Sequence, residues 1–213
     1  MAGKKTVKGG SDDGGESPAR GRILEAAFAA FTTGGFAETS TLEIATRARV
    51  SKRELYALFG DKQDMLIACI SDRAGRLKLP TDLPELRDRE TLRRTLASFG
   101  ARLLREVSEP AVVAMFRLAI AEASRTPEIA RALNEIAIAT SRDALRGIMR
   151  RARRAGLLGG EPAEMAGHFF GLLWGNLMLG LLLATAERPG RGEIARRAEA
   201  ASEAFLRAYP MPE

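Results

Sequence analysis

Lys52, Arg53 and Tyr56 follow Ser51 at i, i+1 and i+4, a spacing that places all three on one face of a helix, starting at its first turn. Arg or Lys on such a face can donate to guanine acceptors, and Tyr can meet a phosphate or a thymine methyl. The chemistry on offer is therefore base reading in a DNA major groove. Thr41 and Lys62 sit at the starts of the flanking helices, where a polar side chain beside free backbone amides can grip phosphate. Covalent chemistry has no comparable support. Cys69 is the single cysteine and His168 the single histidine, so there is no internal disulfide and no zinc ligand set. Without a G-x-S-x-G elbow, a phosphate-cradling glycine loop or paired carboxylates in a suitable context, neither an enzyme nor a cofactor or metal protein is expected. Cys69 itself suits a small buried group.

The elements that must hold these residues are marked by caps. Ser40-Thr41-Leu42-Glu43 and Ser51-Lys52-Arg53-Glu54 are two capping boxes, and Val50 with Leu55 forms a hydrophobic staple at the second. They predict a short helix over Thr41–Ala48, a tight turn, and a second helix over Lys52–Phe59, which is the geometry of a helix-turn-helix. Ile44, Ala45, Ala48, Val50, Leu55 and Phe59 can close its interior. Before it, Ile23, Leu24, Ala27, Phe28 and Phe31 make one apolar helical face that Gly34-Gly35 ends. After it, Asp61 caps a helix from about Lys62 to Arg76 that carries Met65, Leu66, Cys69 and Ile70 on one side.

The run from Ile23 to Ile70 resembles the DNA-binding domain of the TetR family of bacterial transcriptional regulators. The matching elements are the apolar first helix, Gly35-Phe36, Thr39-Ser40, Ile44-Ala45, Val50-Ser51-Lys52, Leu55-Tyr56, Phe59 and Asp61-Lys62. The resemblance implies a homodimer whose heads bind adjacent major grooves of a near-palindromic operator. Its DNA contacts fall on Thr41, Ser51, Lys52, Arg53, Tyr56 and Lys62. Three positions depart from the family pattern. Arg49 stands where the turn usually has Gly, Leu58 where a phosphate-binding His is common, and Leu42 where polar residues are common.

Composition agrees with an all-α chain, being rich in Ala, Leu, Arg and Glu, with 6% aromatic residues and nine prolines. A net charge of +6 favours a polyanionic partner. Residues 1–19 have no apolar core of a signal peptide and are expected to be a disordered arm, and the scarcity of cysteine suits a cytoplasmic protein. Residues 20–72 are assigned to the helix-turn-helix domain and 73–213 to a helical ligand-binding and dimerisation domain, with Leu79–Pro84 as linker. Long helices are expected at about 89–107, 111–124, 127–155, 162–186 and 192–208.

In the second domain, Phe116 to Ala123 with Arg125, Pro127 and Glu128 is similar to the C-terminal domain of AefR-like regulators. The family places a small-molecule effector there. Phe99, Leu103, Met115, Phe116, Ile120, Trp174 and Asn176 are the candidates for its pocket. Met165 to Ala186 is a run of 22 residues without a charge, about 33 Å long as a helix and so near the thickness of a bilayer. That run leaves a membrane-associated or purely protein-binding helical module as the competing expectation. The family offers another account, a helix buried between its own domain and a partner subunit. Gly167, Gly171 and Gly175 would then allow close approach, and Ile194, Ala198, Ala201 and Phe205 would pack alongside in the dimer interface.

Overall fold

The computed structural model describes residues 18–76 and 85–211, and every regular element within them is helical. The expected arm lies outside the described residues apart from Pro18 and Ala19, which open the first helix. The Leu79–Pro84 linker also lies outside them.

Four helices form the head: α1 (Pro18–Gly34), α2 (Thr41–Ala48), α3 (Lys52–Phe59) and α4 (Lys62–Arg76). α1 stops because Gly35 takes φ 84°, a left-handed conformation that costs glycine little. The turn onto α2 is held by the Thr39 hydroxyl, which donates to the carbonyls of Ala30 and Gly35 at 3.2 and 2.7 Å. Both capping serines behave as their spacing predicts. Ser40 Oγ accepts from the Glu43 amide and Ser51 Oγ from the Glu54 amide, each at 3.1 Å. Asp61 accepts from the Asp64 amide at 2.8 Å to start α4.

The body contains α5 (Arg89–Val107), α6 (Pro110–Glu122), α7 (Pro127–Leu133), α8 (Ala139–Arg154), α9 (Pro162–Trp174), α10 (Leu177–Leu182) and α11 (Arg191–Ala208). α5 and α11 pack together at its centre, with α9 against α11 and α8 against α9. Gly100 permits the close approach, since a Cβ there would stand 2.9 Å from Leu173 Cδ1 and 3.5 Å from Ala198 Cβ. The Arg89 guanidinium ties the start of α5 to the C-terminal end of α11, donating to the carbonyls of Leu157 and Tyr209 at 2.8 and 3.0 Å and also to that of Leu206.

Two expected helices are broken. The one placed at 127–155 widens into a π-helical turn over Asn134–Ile138 between α7 and α8. The one placed at 162–186 ends at Trp174, because Gly175 takes φ 47° and ψ −125°, a region closed to residues with a Cβ. α10 then lasts only six residues. Its C-terminal carbonyls are capped from α6 by Arg117, which donates to Leu181 O at 2.6 Å and Leu182 O at 2.9 Å. Among the described residues no helix is long and apolar enough to cross a membrane.

Two apolar cores result. The body core is centred on α5, α8, α9 and α11. The head core contains Ile23, Phe31, Ile44, Leu55 and Leu66, and it continues into the body through Met115, Leu118, Ala119, Ile129 and Leu133 of α6 and α7. α4 runs through the boundary expected at residue 72, and its body-facing side packs on α7.

Candidate nucleic-acid interface and ligand cavity

The two capped helices meet with Ile44, Ala45, Ala48 and Leu55 almost wholly buried. This seals one side of α3 and leaves the other to solvent. Ser51, Lys52, Arg53 and Tyr56 are all exposed there. Thr41 Oγ1 and the Tyr56 hydroxyl lie 3.0 Å apart, so the start of α2 and the outer face of α3 form one continuous polar edge. Arg49 adopts the left-handed conformation usually given to glycine, with φ 55° and ψ 50°. The turn thus keeps its shape despite the residue change, and its amide reaches Thr46 O at 3.2 Å. Leu42 and Leu58 are exposed, apolar positions beside this edge.

Lys62 departs from its expected role. Its ammonium donates to the carbonyls of Phe36, Ala37 and Thr39 at 2.7, 3.1 and 3.1 Å and lies 4.6 Å from the centre of the Phe36 ring. An ammonium has three protons, and all three are engaged inside the head. The side chain therefore braces the α1–α2 loop, and only the backbone of Lys62 remains to meet phosphate. Sequence spacing placed it at a helix start but could not show where its long side chain folds back.

A cavity of about 440 Å³ opens between α4, α5, α6, α8, α9 and α10. Leu103, Met115, Phe116 and Trp174 line it together with Val107, Val112, Phe170 and Met178. Three other candidates lie elsewhere. Phe99 is enclosed in the body core one turn before Leu103. Ile120 is 59% exposed, because α6 turns Met115, Leu118 and Ala119 toward the head core and leaves Ile120 on its outer side. Asn176 follows the break at Gly175 and faces a separate polar depression with Glu187, Arg188, Glu193 and Arg197. The polar wall of the cavity is made by Arg73, Ser141 and Arg142, none of which the sequence suggested. Arg142 stands exposed near the start of α8, and Arg73 lies near the end of the head's last helix. Only the fold brings the two to the wall of one cavity.

The expected interface residues separate into two groups. Ile194, Ala198, Ala201 and Phe205 are buried within their own subunit, where α11 packs on α5 and α9. Phe205, for example, meets Phe169 edge-on at 5.7 Å. Their stripe cannot face a partner. Gly167 and Gly171 have open space where a Cβ would stand, and Gly175 forms the helix break in place of a packing surface. The exposed apolar side chains of this region are Leu172, Leu179 and Leu183.

Cys69 is buried and its thiol donates to Leu24 O at 3.5 Å. Desolvation pushes its pKa up to about 12, which makes it an inert core group. Among the described residues no cluster of His, Cys, Asp and Glu could hold a metal ion.

A helix-turn-helix head with an exposed basic recognition face, joined to a helical body with an apolar cavity, defines a DNA-binding transcriptional regulator. The family profile for bacterial regulatory proteins of the tetR family matches residues 23–69, and that of the AefR-like transcriptional repressor C-terminal domain matches residues 94–211. The chain belongs to the TetR family, in its AefR-like branch. Among solved structures it is similar to a protein described as a TetR-family transcriptional regulator from Mesorhizobium loti MAFF303099. That pair is 26% identical, covering 91% of this chain and 97% of the other, with a TM-score of 0.76. It is also similar to a TetR transcriptional regulator from Agrobacterium tumefaciens, at 29% identity over 92% and 96% of the two chains and a TM-score of 0.76. The flavonoid-responsive regulator FrrA is 28% identical over 92% of this chain and 98% of its own, with a TM-score of 0.77. A search of curated proteins finds no match to this sequence. Members of the family are non-enzymatic DNA-binding proteins.

Proposed function

We propose that this protein is a ligand-responsive repressor that binds a near-palindromic operator as a homodimer, in the cytoplasm. The observation that carries this reading is the exposed Lys52, Arg53 and Tyr56 face on a capped α3, fixed to a body whose cavity abuts the same α4 that supports the head. Arg53 and Lys52 read base edges, while Thr41, Ser51, Tyr56 and the backbone at Lys62 hold phosphates. The dimer forms through the outward sides of α9 and α10, where Gly171, Leu172, Leu179 and Leu183 present an apolar surface. Two heads related by a two-fold axis would then have to meet half-sites about 34–36 Å apart, one helical turn of DNA.

An effector acts by binding one arrangement of the two heads more tightly than the other. To weaken operator binding a hundredfold it needs about 2.7 kcal/mol of differential affinity. That FrrA is described as flavonoid-responsive supports a bulky apolar effector for this cavity too.

Selection of bound sequences from a random DNA library tests the proposal directly. The expected outcome is a two-fold symmetric site with one helical turn between half-site centres. Arg53→Ala should then lose about 1–3 kcal/mol on the selected site and relax base preference at one position in each half-site. Equal binding to all sequences, by wild type and variant alike, would remove the base-reading assignment.

A further inference from the structure

We propose that the cavity selects an amphipathic molecule with an apolar body and one acidic group, held by Arg73 and Arg142, and that Arg73 transmits its presence to α1. This rests on the ligand-responsive reading above and gives the effector a chemical class. The cavity walls are aliphatic and aromatic except for two guanidiniums and the Ser141 hydroxyl. No carboxylate lines it, so the charge carried by its wall is positive. Arg73, whose side chain is 15% exposed, gains most from an anion brought to it, because the same low polarity that penalises a buried charge strengthens the pair, and the exposed Arg142 adds a second donor.

Neither arginine is saturated by the protein. Arg142 has no carboxylate partner among the described residues, and the acid beside it, Asp143, pairs with Arg146 at 3.2 Å. Arg73 touches Glu25 through one nitrogen at 3.3 Å, and that carboxylate is 56% exposed while the arginine side chain is only 15% exposed. An ion pair with one partner in water is weak. With five N–H groups, the guanidinium has donors to spare.

Arg73 also reaches the head. Its guanidinium carbon lies 3.5 Å from the centre of the Phe28 ring, and both Phe28 and Glu25 belong to α1. One side chain therefore lines the cavity and clamps α4 to α1, the helix on which α2 is packed. An acid in the cavity competes with Glu25 for this guanidinium and draws it off the ring, which loosens α1 and lowers operator affinity.

Trp174 is the single tryptophan of the chain and lines the cavity, so its fluorescence reports occupancy directly. The probes are decanoate against decan-1-ol and 1-naphthoate against 1-naphthalenemethanol, each pair sharing an apolar body and differing in charge, added to the full chain. The acids should bind roughly tenfold or more tightly than their alcohols. Arg142→Met, an exposed change that leaves the core intact, should cut that preference. Arg73→Met should cut it and also uncouple occupancy from operator binding, whereas Arg73→Lys should restore part of both. Alcohol binding should change far less than acid binding in every variant.

Equal binding of acid and alcohol, or a preference that survives in both Met variants, would overturn the inference while the ligand-responsive reading stands. Silence from all four probes would overturn it as well. Failure of the wider reading looks different: the cavity fills, Trp174 responds, and affinity for the selected operator does not move.

Discussion

Gly171 offers a substitution whose two effects have opposite signs. Nothing in its own subunit lies within 4 Å of where a Cβ would stand, so Gly171→Leu meets no intramolecular obstacle. Leucine in a helix is favoured over glycine by somewhat less than the roughly 0.8–1 kcal/mol that separates alanine from glycine, so the isolated subunit should hold its stability or gain slightly. If α9 lies in a two-fold interface, the change enters twice. Extra methylenes forced into a packed contact cost about 1–3 kcal/mol per site, which makes about 2–6 kcal/mol for the pair. The dimer Kd should rise by roughly 30-fold to 25,000-fold. Sedimentation velocity over nanomolar to micromolar protein reads this directly, and urea unfolding at a concentration where both proteins are monomeric reads the subunit. A variant that dimerises like wild type would take α9 out of the interface. A variant whose monomer unfolds more easily would show that Gly171 packs against its own subunit.

Other outcomes follow from single side chains. Arg49→Gly should relieve about 1–2 kcal/mol of left-handed strain and lose about 0.5–1 kcal/mol to chain entropy, for a net gain of up to about 1.5 kcal/mol in urea unfolding. A loss would mean that the exposed arginine side chain stabilises the turn. Lys62→Met should destabilise the protein by about 1.5–3 kcal/mol and raise amide exchange in the α1–α2 loop, since charged donors leave three carbonyls at once. If its side chain were instead a phosphate contact, stability would hold and only the salt dependence of DNA binding would fall, by about one unit of slope. The Cys69 thiol should resist thiol reagents in the folded protein near neutral pH and react on unfolding. Its raised pKa means the folded state keeps a proton the unfolded state releases. This contribution to stability is intact below pH 9 and is lost as pH climbs toward about 12, which alkaline unfolding of Cys69→Ala should show as a shallower decline.

The head was readable because its signals are local. Ser40 with Glu43 and Ser51 with Glu54 encode two helix starts within four residues each, and the structure forms both. The body was less readable because its decisive events depend on distant partners. Nothing in the run from Met165 to Ala186 marks Gly175 as a break while Gly167 and Gly171 stay helical. Arg117, 65 residues before Leu182, completes that break by capping α10. The apolar stripe of α11 was correct as a stripe, but periodicity cannot say whether it faces its own α5 or a second subunit. Arg73 and Arg142 were invisible as a pair for the same reason, being separated by 69 positions along the chain and joined only by the cavity between them.

The head core closes over Met115, Leu118, Ala119, Ile129 and Leu133, so the head has no floor of its own. Grafting residues 18–76 onto an unrelated body would strip five apolar neighbours from that core, and the hybrid would have to find substitutes. The smallest piece that keeps this core closed is therefore the head with its α6–α7 seat. New operator specificity is more accessible through changes on the solvent side of α3, which touch no packing, than through recombination of whole heads. Drift at the seat residues, in contrast, should be bound to drift on the underside of α1 and α4, leaving paired substitutions as its record.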